Sequence, residues 1–207
     1  LRQDRRFHAG EAVTSRSYAA LLSTAFDALV TADPHLHRYH ALDEIYRIPT
    51  RVVHTAPLIA RWVAAQVERP LLIGPDSESE QWVAEVAAAA GAPWTVLQKI
   101  RRGDRDVEVS LPDVSAWQDR QPVLVDDIVS SARTMIQAVD SVRRVGLPAP
   151  LCIGVHALFA PGAYEELLAS RPARVLTCDT VPHASNEISV VEPMARALEE
   201  LMEGTAS

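Results

Sequence analysis

Cysteine is scarce in this sequence, with only Cys152 and Cys178 among 207 residues. Both lie in apolar runs, so we interpret them as buried thiols rather than as a disulfide framework or a metal site. No run of about 18 apolar residues occurs, so no membrane span is indicated. The first ten residues are charged from Arg2 onward and lack the apolar core of a signal peptide. We therefore expect a cytoplasmic protein with no membrane partner.

Positively charged residues are fewer than negatively charged ones. The chain has 20 Lys and Arg against 27 Asp and Glu, which gives a formal net charge of −7. This balance argues against a general nucleic-acid-binding surface, so we expect no nucleic-acid partner. The hydrophobic content of 48% supports a sizeable core. At this length the chain forms one large domain or two small ones.

The stretch 122–134 predicts a buried strand that leads into a sugar-phosphate site. The apolar residues 123–125 meet two adjacent carboxylates, Asp126 and Asp127, and an amphipathic run begins at Met135. The hydroxyl-bearing residues between them are Ser130, Ser131 and Thr134. Hydroxyls and backbone N–H groups at a helix N-terminus bind phosphate, and paired carboxylates accept hydrogen bonds from vicinal sugar hydroxyls. An ordinary strand-to-helix turn with solvated acids is the alternative interpretation.

Apolar periodicity along the chain predicts alternating strands and helices. A helix starts near Thr14, with Thr14 or Ser15 as its cap, and Pro49 marks a candidate domain boundary. Further helices are predicted at 57–67, 80–90, 135–146, 161–168 and 192–202. A short strand is predicted from Leu29, ending in the acid and two imidazoles of 33–37. Further strands are predicted at 71–73, 95–98, 107–111, 123–125, 151–156, 175–178 and 188–191, with 107–111 as the return strand of a hairpin. This alternation predicts an α/β fold with a mainly parallel sheet.

Polar residues cluster where the predicted strands end. They are Asp33 with His35, Asp76, Asp126 with Asp127, His156 and Asp179. In open α/β sheets ligands bind outside the carboxyl ends of the strands, so this repetition favours a single binding edge.

Several ordered motifs resemble the ribose-phosphate pyrophosphokinase family. They are RQDRRF at 2–7, DPHLH at 33–37, GPDSESEQW at 74–82, KIRR at 99–102, VLVDDIVSSART at 123–134 and GVHALF at 154–159. The resemblance implies transfer of the diphosphoryl group of ATP to the 1-hydroxyl of ribose 5-phosphate, with Mg²⁺. It also implies two phosphoribosyltransferase-like domains and a homo-oligomer, a dimer or a hexamer.

The resemblance further implies how the chain divides into domains. Residues 1–49 would be the C-terminal part of a first phosphoribosyltransferase-like domain, whose front portion is not among these residues. Residues 50–187 would be the second such domain, which carries the ribose-5-phosphate loop. Residues 188–207 would form a helix that packs on the first domain.

Functional residues follow from the resemblance one motif at a time. ATP would contact Arg2, Gln3, Arg5 and His35, and the metal would contact His35 and Asp76. The catalytic loop would supply Lys99 and Arg101, whose positive charge stabilises charge on the transferring group. Ribose 5-phosphate would be held by Asp126, Asp127, Ser130, Ser131, Ala132, Arg133 and Thr134.

Each of these assignments has a structural alternative. The basic N-terminus could be a solvated end, Asp76 a helix cap, the segment around Lys99 an exposed hairpin, and His156 a core histidine. The commonest family pattern has Gly at the position of Ala132, and Gly permits unusual backbone angles. His37 is a weaker candidate, because family members vary there.

Two other functions remain open from the sequence. A phosphoribosyltransferase shares the sugar-phosphate loop but consumes phosphoribosyl pyrophosphate, and it has no need of the Arg-rich motif or of Asp33-Pro34-His35. A non-catalytic regulatory subunit of the same fold is the other alternative, and it would be stabilised by ligand without turnover.

Overall fold

The computed structural model describes residues 3–6, 8–36, 39–102 and 106–205, with backbone alone at 78, 99–102, 106–110 and 205. The helices within this part of the chain are α1 (Thr14–Ala25), α2 (Ala56–Gln66), α3 (Glu80–Ala90), α4 (Arg133–Arg144), α5 (Ala163–Ala169) and α6 (Val191–Thr205). The strands are β1 (Leu29–Ala32), β2 (Thr50–Val53), β3 (Pro70–Gly74), β4 (Trp94–Val96), β5 (Gln98–Arg102), β6 (Asp106–Ser110), β7 (Gln121–Val129), β8 (Leu151–Ala157), β9 (Arg174–Cys178) and β10 (Asn186–Ile188). Two compact units form, one of Leu1–His54 with Val191–Ser207 and the other of Thr55–Val190.

The larger unit is built on a six-stranded parallel sheet. Its strand order is β10-β9-β8-β7-β3-β4, and helices connect most of the neighbouring strands. Strands β5 and β6 form a separate antiparallel hairpin, as the sequence predicts. The prediction of an α/β fold with a mainly parallel sheet is therefore confirmed.

Apolar runs explain why β7 lies at the centre of this sheet. Val123, Leu124 and Val125 are fully buried, as expected for a parallel strand covered on both faces. Helix α4 packs on the sheet through the apolar positions Met135, Ala138, Val139 and Val142. Cys152 and Cys178 are buried free thiols, as predicted.

The smaller unit pairs β1 with β2 in parallel, and α6 packs against both strands. Its buried side chains include Ala19, Ala32, Leu42, Val53 and Leu201. Helix α1 buries only Ser15 and Ala19 within the described part of this unit and leaves large apolar side chains exposed. Those exposed side chains are Tyr18 and Leu21, and Phe26, directly after the helix, is exposed as well.

The central strand is longer than the sequence predicts. The prediction ended it at Val125, but β7 continues to Val129, so Asp126 and Asp127 lie within the strand. Pairing with β8 explains the extension, because Ile128 and Val129 are in register with His156 and Ala157. Helix α4 correspondingly begins at Arg133, two positions before the predicted start.

The start of α1 differs from the prediction in its cap. Val13 is the N-cap residue and supplies no side-chain hydrogen bond, so the prediction of Thr14 or Ser15 as cap was wrong. The Gln3 side chain caps the helix instead, because its Oε1 accepts a hydrogen bond from the Thr14 N–H at 2.7 Å. The Gln3 backbone carbonyl accepts another from the Ser15 N–H at 3.1 Å.

Strand β2 has no counterpart in the sequence prediction. It follows directly after Pro49, the predicted boundary, and pairs with β1, so the division between the units falls between His54 and Thr55. The closing strand, β10, ends at Ile188, and α6 begins at Val191, where the prediction still had strand. Across the described ranges, no helix combines the length and apolarity that crossing a bilayer requires.

Candidate active site

The carboxyl edge of the six-stranded sheet carries the acidic pair of β7. Asp126 and Asp127 are both half-buried, and the Asp127 N–H donates a hydrogen bond to Asp126 Oδ1 at 3.0 Å. Asp126 lies opposite Gly154 in the register of β7 and β8. Adjacent residues of a strand point to opposite faces of a sheet. This hydrogen bond holds the Asp126 carboxylate beside the backbone of Asp127.

Negative charge concentrates around Asp126. Burial, together with the neighbouring negative charges of Asp127 and Asp76, raises the pKa of Asp126 to about 8. Desolvation and like charges both disfavour the ionised carboxylate. The three carboxyl groups therefore form an electronegative patch that favours hydrogen-bond donors or a cation.

The loop after β7 has the backbone geometry of an anion site. Ala132 is the N-cap of α4 in a left-handed conformation, with φ +57° and ψ 1°, and it supplies no side-chain cap. The first N–H groups of a helix carry partial positive charge and bind anions. Ser131, Arg133 and Thr134 are exposed around this N-terminus, and Ser130 is half-buried.

Ala132 stands where the commonest family pattern has Gly, and its backbone conformation is left-handed. A positive φ is unfavourable for a residue with a Cβ atom, yet this alanine adopts it with its side chain only 5% exposed in the core. The surrounding apolar cluster includes Val129 and Met135 on either side of the loop. The loop therefore reaches a glycine-like backbone shape without glycine.

Gly154 is a residue of this site that the sequence prediction missed. A Cβ atom at Gly154 would lie 2.7 Å from Val129 Cγ2 and 3.4 Å from Thr177 Cγ2. Only glycine therefore lets β8 approach the end of β7 so closely. Its signal in the sequence is a lone glycine inside the apolar run of a predicted strand.

Asp76 follows β3 at the same edge of the sheet. Its Oδ1 accepts a hydrogen bond from the Ser79 N–H at 3.2 Å, while the Ser79 hydroxyl donates to the Asp76 carbonyl at 2.7 Å. These bonds close the turn before α3, whose N-cap residue is Ser79 with no side-chain cap, so the alternative of Asp76 as the N-cap of that helix was wrong. Its effect on the Asp126 pKa shows that its charge also reaches the acidic pair.

His156 and Asp179 complete the polar residues of this edge. The Thr180 hydroxyl donates to the Val155 carbonyl at 2.9 Å, so it accepts a hydrogen bond from His156 Nδ1, also at 2.9 Å. The Asp179 carboxylate accepts hydrogen bonds from the Ser189 hydroxyl and the Val190 N–H, both at 2.7 Å. Both side chains therefore have structural partners, and no sequence signal pointed to Thr180.

Lys99 and Arg101 lie on β5 of the hairpin. Their backbones are in register with Val109 and Val107 of β6. The structure describes only their backbones, so their catalytic roles stay predictions.

The residues assigned to ATP belong to the smaller unit. The Gln3 side-chain amide forms two hydrogen bonds within this unit. Its Oε1 accepts from the Thr14 N–H, and its Nε2 donates to the Ala12 carbonyl at 2.9 Å. Arg5 is exposed, and His35 is half-buried after β1. Arg2 and His37 lie outside the described residues.

Comparison with known proteins adds the family context. A sequence model of the phosphoribosyl transferase domain matches residues 41–193. The chain is 34% identical over 202 residues to the ribose-phosphate pyrophosphokinase of Methanopyrus kandleri, covering 97% of this chain and 68% of that protein. It is 30% identical to the enzyme of the same name from Sulfurisphaera tokodaii, covering 92% of this chain and 65% of that protein. The chain thus spans about two thirds of the length of these curated relatives.

Similarity to a solved structure extends over nearly the whole chain. Phosphoribosylpyrophosphate synthetase from Mycobacterium smegmatis superposes with a TM-score of 0.82 at 21% sequence identity, covering 98% of this chain and 68% of that chain. At this identity the similarity establishes the fold, a phosphoribosyltransferase-type α/β architecture.

Proposed function

Because the chain belongs to the ribose-phosphate pyrophosphokinase family, we propose that it transfers the diphosphoryl group of ATP to the 1-hydroxyl of ribose 5-phosphate. The products are phosphoribosyl pyrophosphate and AMP. Family membership confirms the enzyme class predicted from the sequence, a diphosphoryl transferase of nucleotide biosynthesis. The observation that carries the proposal for this chain is the acidic pair of β7, placed one short loop before the N-terminus of α4.

Ribose 5-phosphate is assigned to the larger unit. Asp126 and Asp127 accept hydrogen bonds from two sugar hydroxyls, which offsets the negative charge concentrated there. The phosphate is assigned to the loop formed by residues 130–134. Its support is the uncapped helix N-terminus with exposed hydroxyl and guanidinium side chains around it.

ATP is assigned to Arg2, Gln3, Arg5 and His35, with Lys99 and Arg101 acting on the transferring group. Guanidinium groups bind phosphate oxygens with two hydrogen bonds each, and a lysine supplies a compact positive charge. Lys99 is the only lysine among these 207 residues. Positioning and charge stabilisation account for most catalysis in phosphoryl transfer, and we assign no residue as a general base or covalent nucleophile.

Mg²⁺ is the proposed cofactor, with Asp76 and His35 as the assigned protein contacts. The described residues contain no group of three or more His, Cys, Asp or Glu side chains arranged to enclose a metal. Such a cage is not required, since Mg²⁺ commonly binds one or two carboxylates and completes its shell with water and phosphate oxygens. The oxygen-rich patch around Asp126 fits that preference, and the bound ion would neutralise charge on the phosphates.

We also propose that the protein is a cytoplasmic homo-oligomer, a dimer or a hexamer. Exposed apolar side chains in and directly after α1 support association, because burying them removes apolar surface from water; they are Tyr18, Leu21 and Phe26. Light scattering of the purified protein, compared with its monomer mass of 22.6 kDa, measures the oligomeric state.

The test of the function is AMP formation from ATP and Mg²⁺, with and without ribose 5-phosphate. We expect AMP only when the sugar phosphate is present. Asp127→Ala should abolish it through lost sugar binding, and Lys99→Ala through lost charge stabilisation, whereas Lys99→Arg should retain part of the activity. The control is Asp140→Ala, which removes an exposed carboxylate on α4.

Other product patterns would contradict the proposal. Pyrophosphate release from phosphoribosyl pyrophosphate and a nucleobase, without AMP formation, would identify a phosphoribosyltransferase. Thermal stabilisation by ribose 5-phosphate without any product would identify a non-catalytic subunit.

A further inference from the structure

Three rings pack together on the segments of the larger unit that follow β8 and β9. Phe159 follows β8, Tyr164 belongs to α5, and His183 lies in the connection between β9 and β10. The ring centroid of His183 lies 4.7 Å from that of Phe159 and 4.8 Å from that of Tyr164. The centroids of Phe159 and Tyr164 are 5.1 Å apart. At these separations rings are in direct contact, so His183 packs against both of its neighbours.

A chain of hydrogen bonds sets the orientation of the His183 ring. The Ser185 N–H donates to His183 Nδ1 at 3.2 Å, so this nitrogen carries no hydrogen. The Ser185 hydroxyl, at 2.8 Å, therefore also donates to Nδ1, and the Thr177 hydroxyl in turn donates to Ser185 Oγ at 2.8 Å. Asn186 Nδ2 completes the chain by donating to Thr177 Oγ1 at 2.9 Å. Thr177 and Ser185 are buried, so the ring nitrogen is the acceptor that keeps buried donors paired.

The segment that carries His183 is held at both ends. At its start, the Thr180 hydroxyl donates to the Val155 carbonyl of β8 at 2.9 Å. At its end, the His183 N–H donates to Asn186 Oδ1 at 2.8 Å. Backbone and ring are therefore fixed by separate bonds, and the imidazole forms a rigid support for Phe159.

Phe159 connects this support to the loop after β7. Its side chain packs on the apolar cluster that includes Ala132. The next residue, Ala160, donates its N–H to the Ser130 carbonyl at 3.0 Å. In a planar trans peptide the carbonyl and the following N–H point in opposite directions, so this bond directs the Ser131 N–H away from Ala160.

We propose that His183 is a positioning residue for ribose 5-phosphate. It holds Phe159 in place, and Phe159 keeps the Ala160 N–H on the loop of residues 130–134, to which the phosphate is assigned. The inference rests on the proposed function, because it takes ribose 5-phosphate as the ligand of that loop. His183 acts through Phe159 and the direction of a loop peptide rather than by contact with the substrate.

The decisive variant is His183→Asn. The Asn side-chain oxygen lies near the position of Nδ1 and keeps an acceptor for Ser185, but the ring against Phe159 is lost. We expect the KM for ribose 5-phosphate to rise about tenfold, the loss expected for one misdirected hydrogen bond to a charged group, with kcat and the KM for ATP nearly unchanged. A role of His183 in stability alone predicts a lower melting temperature with the wild-type KM for ribose 5-phosphate.

Two further variants follow the same path of contacts. His183→Phe restores a ring and should recover part of the affinity that His183→Asn loses. Phe159→Leu leaves His183 and its hydrogen bonds in place and should also raise the KM for ribose 5-phosphate, so it tests the path even if His183→Asn does not fold. Because both residues act through one contact, the double variant should have a KM no higher than that of the weaker-binding single variant. Effects that multiply in the double variant would contradict a shared path.

Trp62→Phe is the matched control. Trp62 Nε1 donates to Glu187 Oε1 of β10 at 3.2 Å, so the variant removes a hydrogen bond from the strand next to His183 and keeps a ring. It should leave the KM for ribose 5-phosphate unchanged. Circular dichroism and thermal melting establish that each variant is folded before its kinetics are compared.

Calorimetric titration with ribose 5-phosphate separates the inference from the proposed function. It is carried out without nucleotide and also with Mg²⁺ and a non-hydrolysable ATP analogue. Weaker binding by His183→Asn, but not by Trp62→Phe, supports the inference even where the wild type forms no AMP, an outcome that overturns the function alone. Wild-type affinity in His183→Asn and Phe159→Leu overturns the inference and leaves the function intact. A wild type that binds no ribose 5-phosphate under either condition overturns both.

Discussion

Replacing Asp126 by Asn should stabilise the ligand-free protein at alkaline pH and leave it unchanged in acid. Burial and the nearby charges of Asp127 and Asp76 raise the Asp126 pKa to about 8, whereas the unfolded chain ionises near the ordinary value of about 3.9. Between these values the folded protein binds the additional proton, so stability falls as pH rises from about 4 through about 8. Asn resembles the neutral carboxyl group and escapes this loss.

The magnitude follows from the size of the pKa difference. Four pH units at about 1.4 kcal/mol each set a ceiling of roughly 5.5 kcal/mol at and above pH 8. Asp126 is half-buried at an open sheet edge, so water and side-chain movement reduce this figure, and we expect a gain on the order of 2–3 kcal/mol. Asn Oδ1 can still accept the hydrogen bond that the Asp127 N–H donates to Asp126.

Urea unfolding followed by tryptophan fluorescence measures this difference. All four tryptophans, Trp62, Trp82, Trp94 and Trp117, lie in the larger unit, so the signal reports the unit that contains Asp126. Unfolding is compared at pH 4 and pH 8 with a chelator present and no phosphate, because a bound cation would also relieve the charge.

The control for Asp126→Asn is Asp140→Asn. Asp140 is exposed on α4, and its replacement makes the same change in net charge. A similar gain in both variants would mean that the overall charge of −7, rather than burial, sets the stability. Destabilisation of Asp126→Asn at pH 8 would refute the reasoning altogether.

Two further substitutions test the loop and the strand that position the site. Ala132→Gly should change the free energy of unfolding by less than about 1 kcal/mol, because relief of the left-handed backbone (about 1 kcal/mol) is offset by a lost buried methyl group and a more flexible unfolded chain. The KM for ribose 5-phosphate should stay near the wild-type value, and a large fall in KM would show that Ala132 had impaired the loop. Gly154→Ala should destabilise the larger unit by about 1–3 kcal/mol and raise that KM, because its Cβ would lie 2.7 Å from Val129 Cγ2. Wild-type urea unfolding and KM in this variant would contradict the close packing of β7 and β8.

Local patterns in the sequence determined much of the larger unit. The apolar run before Asp126 predicted the central strand, and Gly91 correctly marked the end of α3, where it adopts φ +64°. Alternating strands and helices then determined a parallel sheet, since crossover helices connect parallel neighbours. These features depend on residues a few positions apart, which is why one sequence is enough to predict them.

Tertiary structure decided the features that depend on distant partners. β7 continues past Asp126 because β8 offers hydrogen bonds, and Gln3 caps α1 from eleven residues away. The raised pKa of Asp126 arises first from burial, then from the adjacent Asp127 and from Asp76, which lies at another strand end. Register, burial and charge proximity are properties of the folded chain, and local sequence patterns do not encode them.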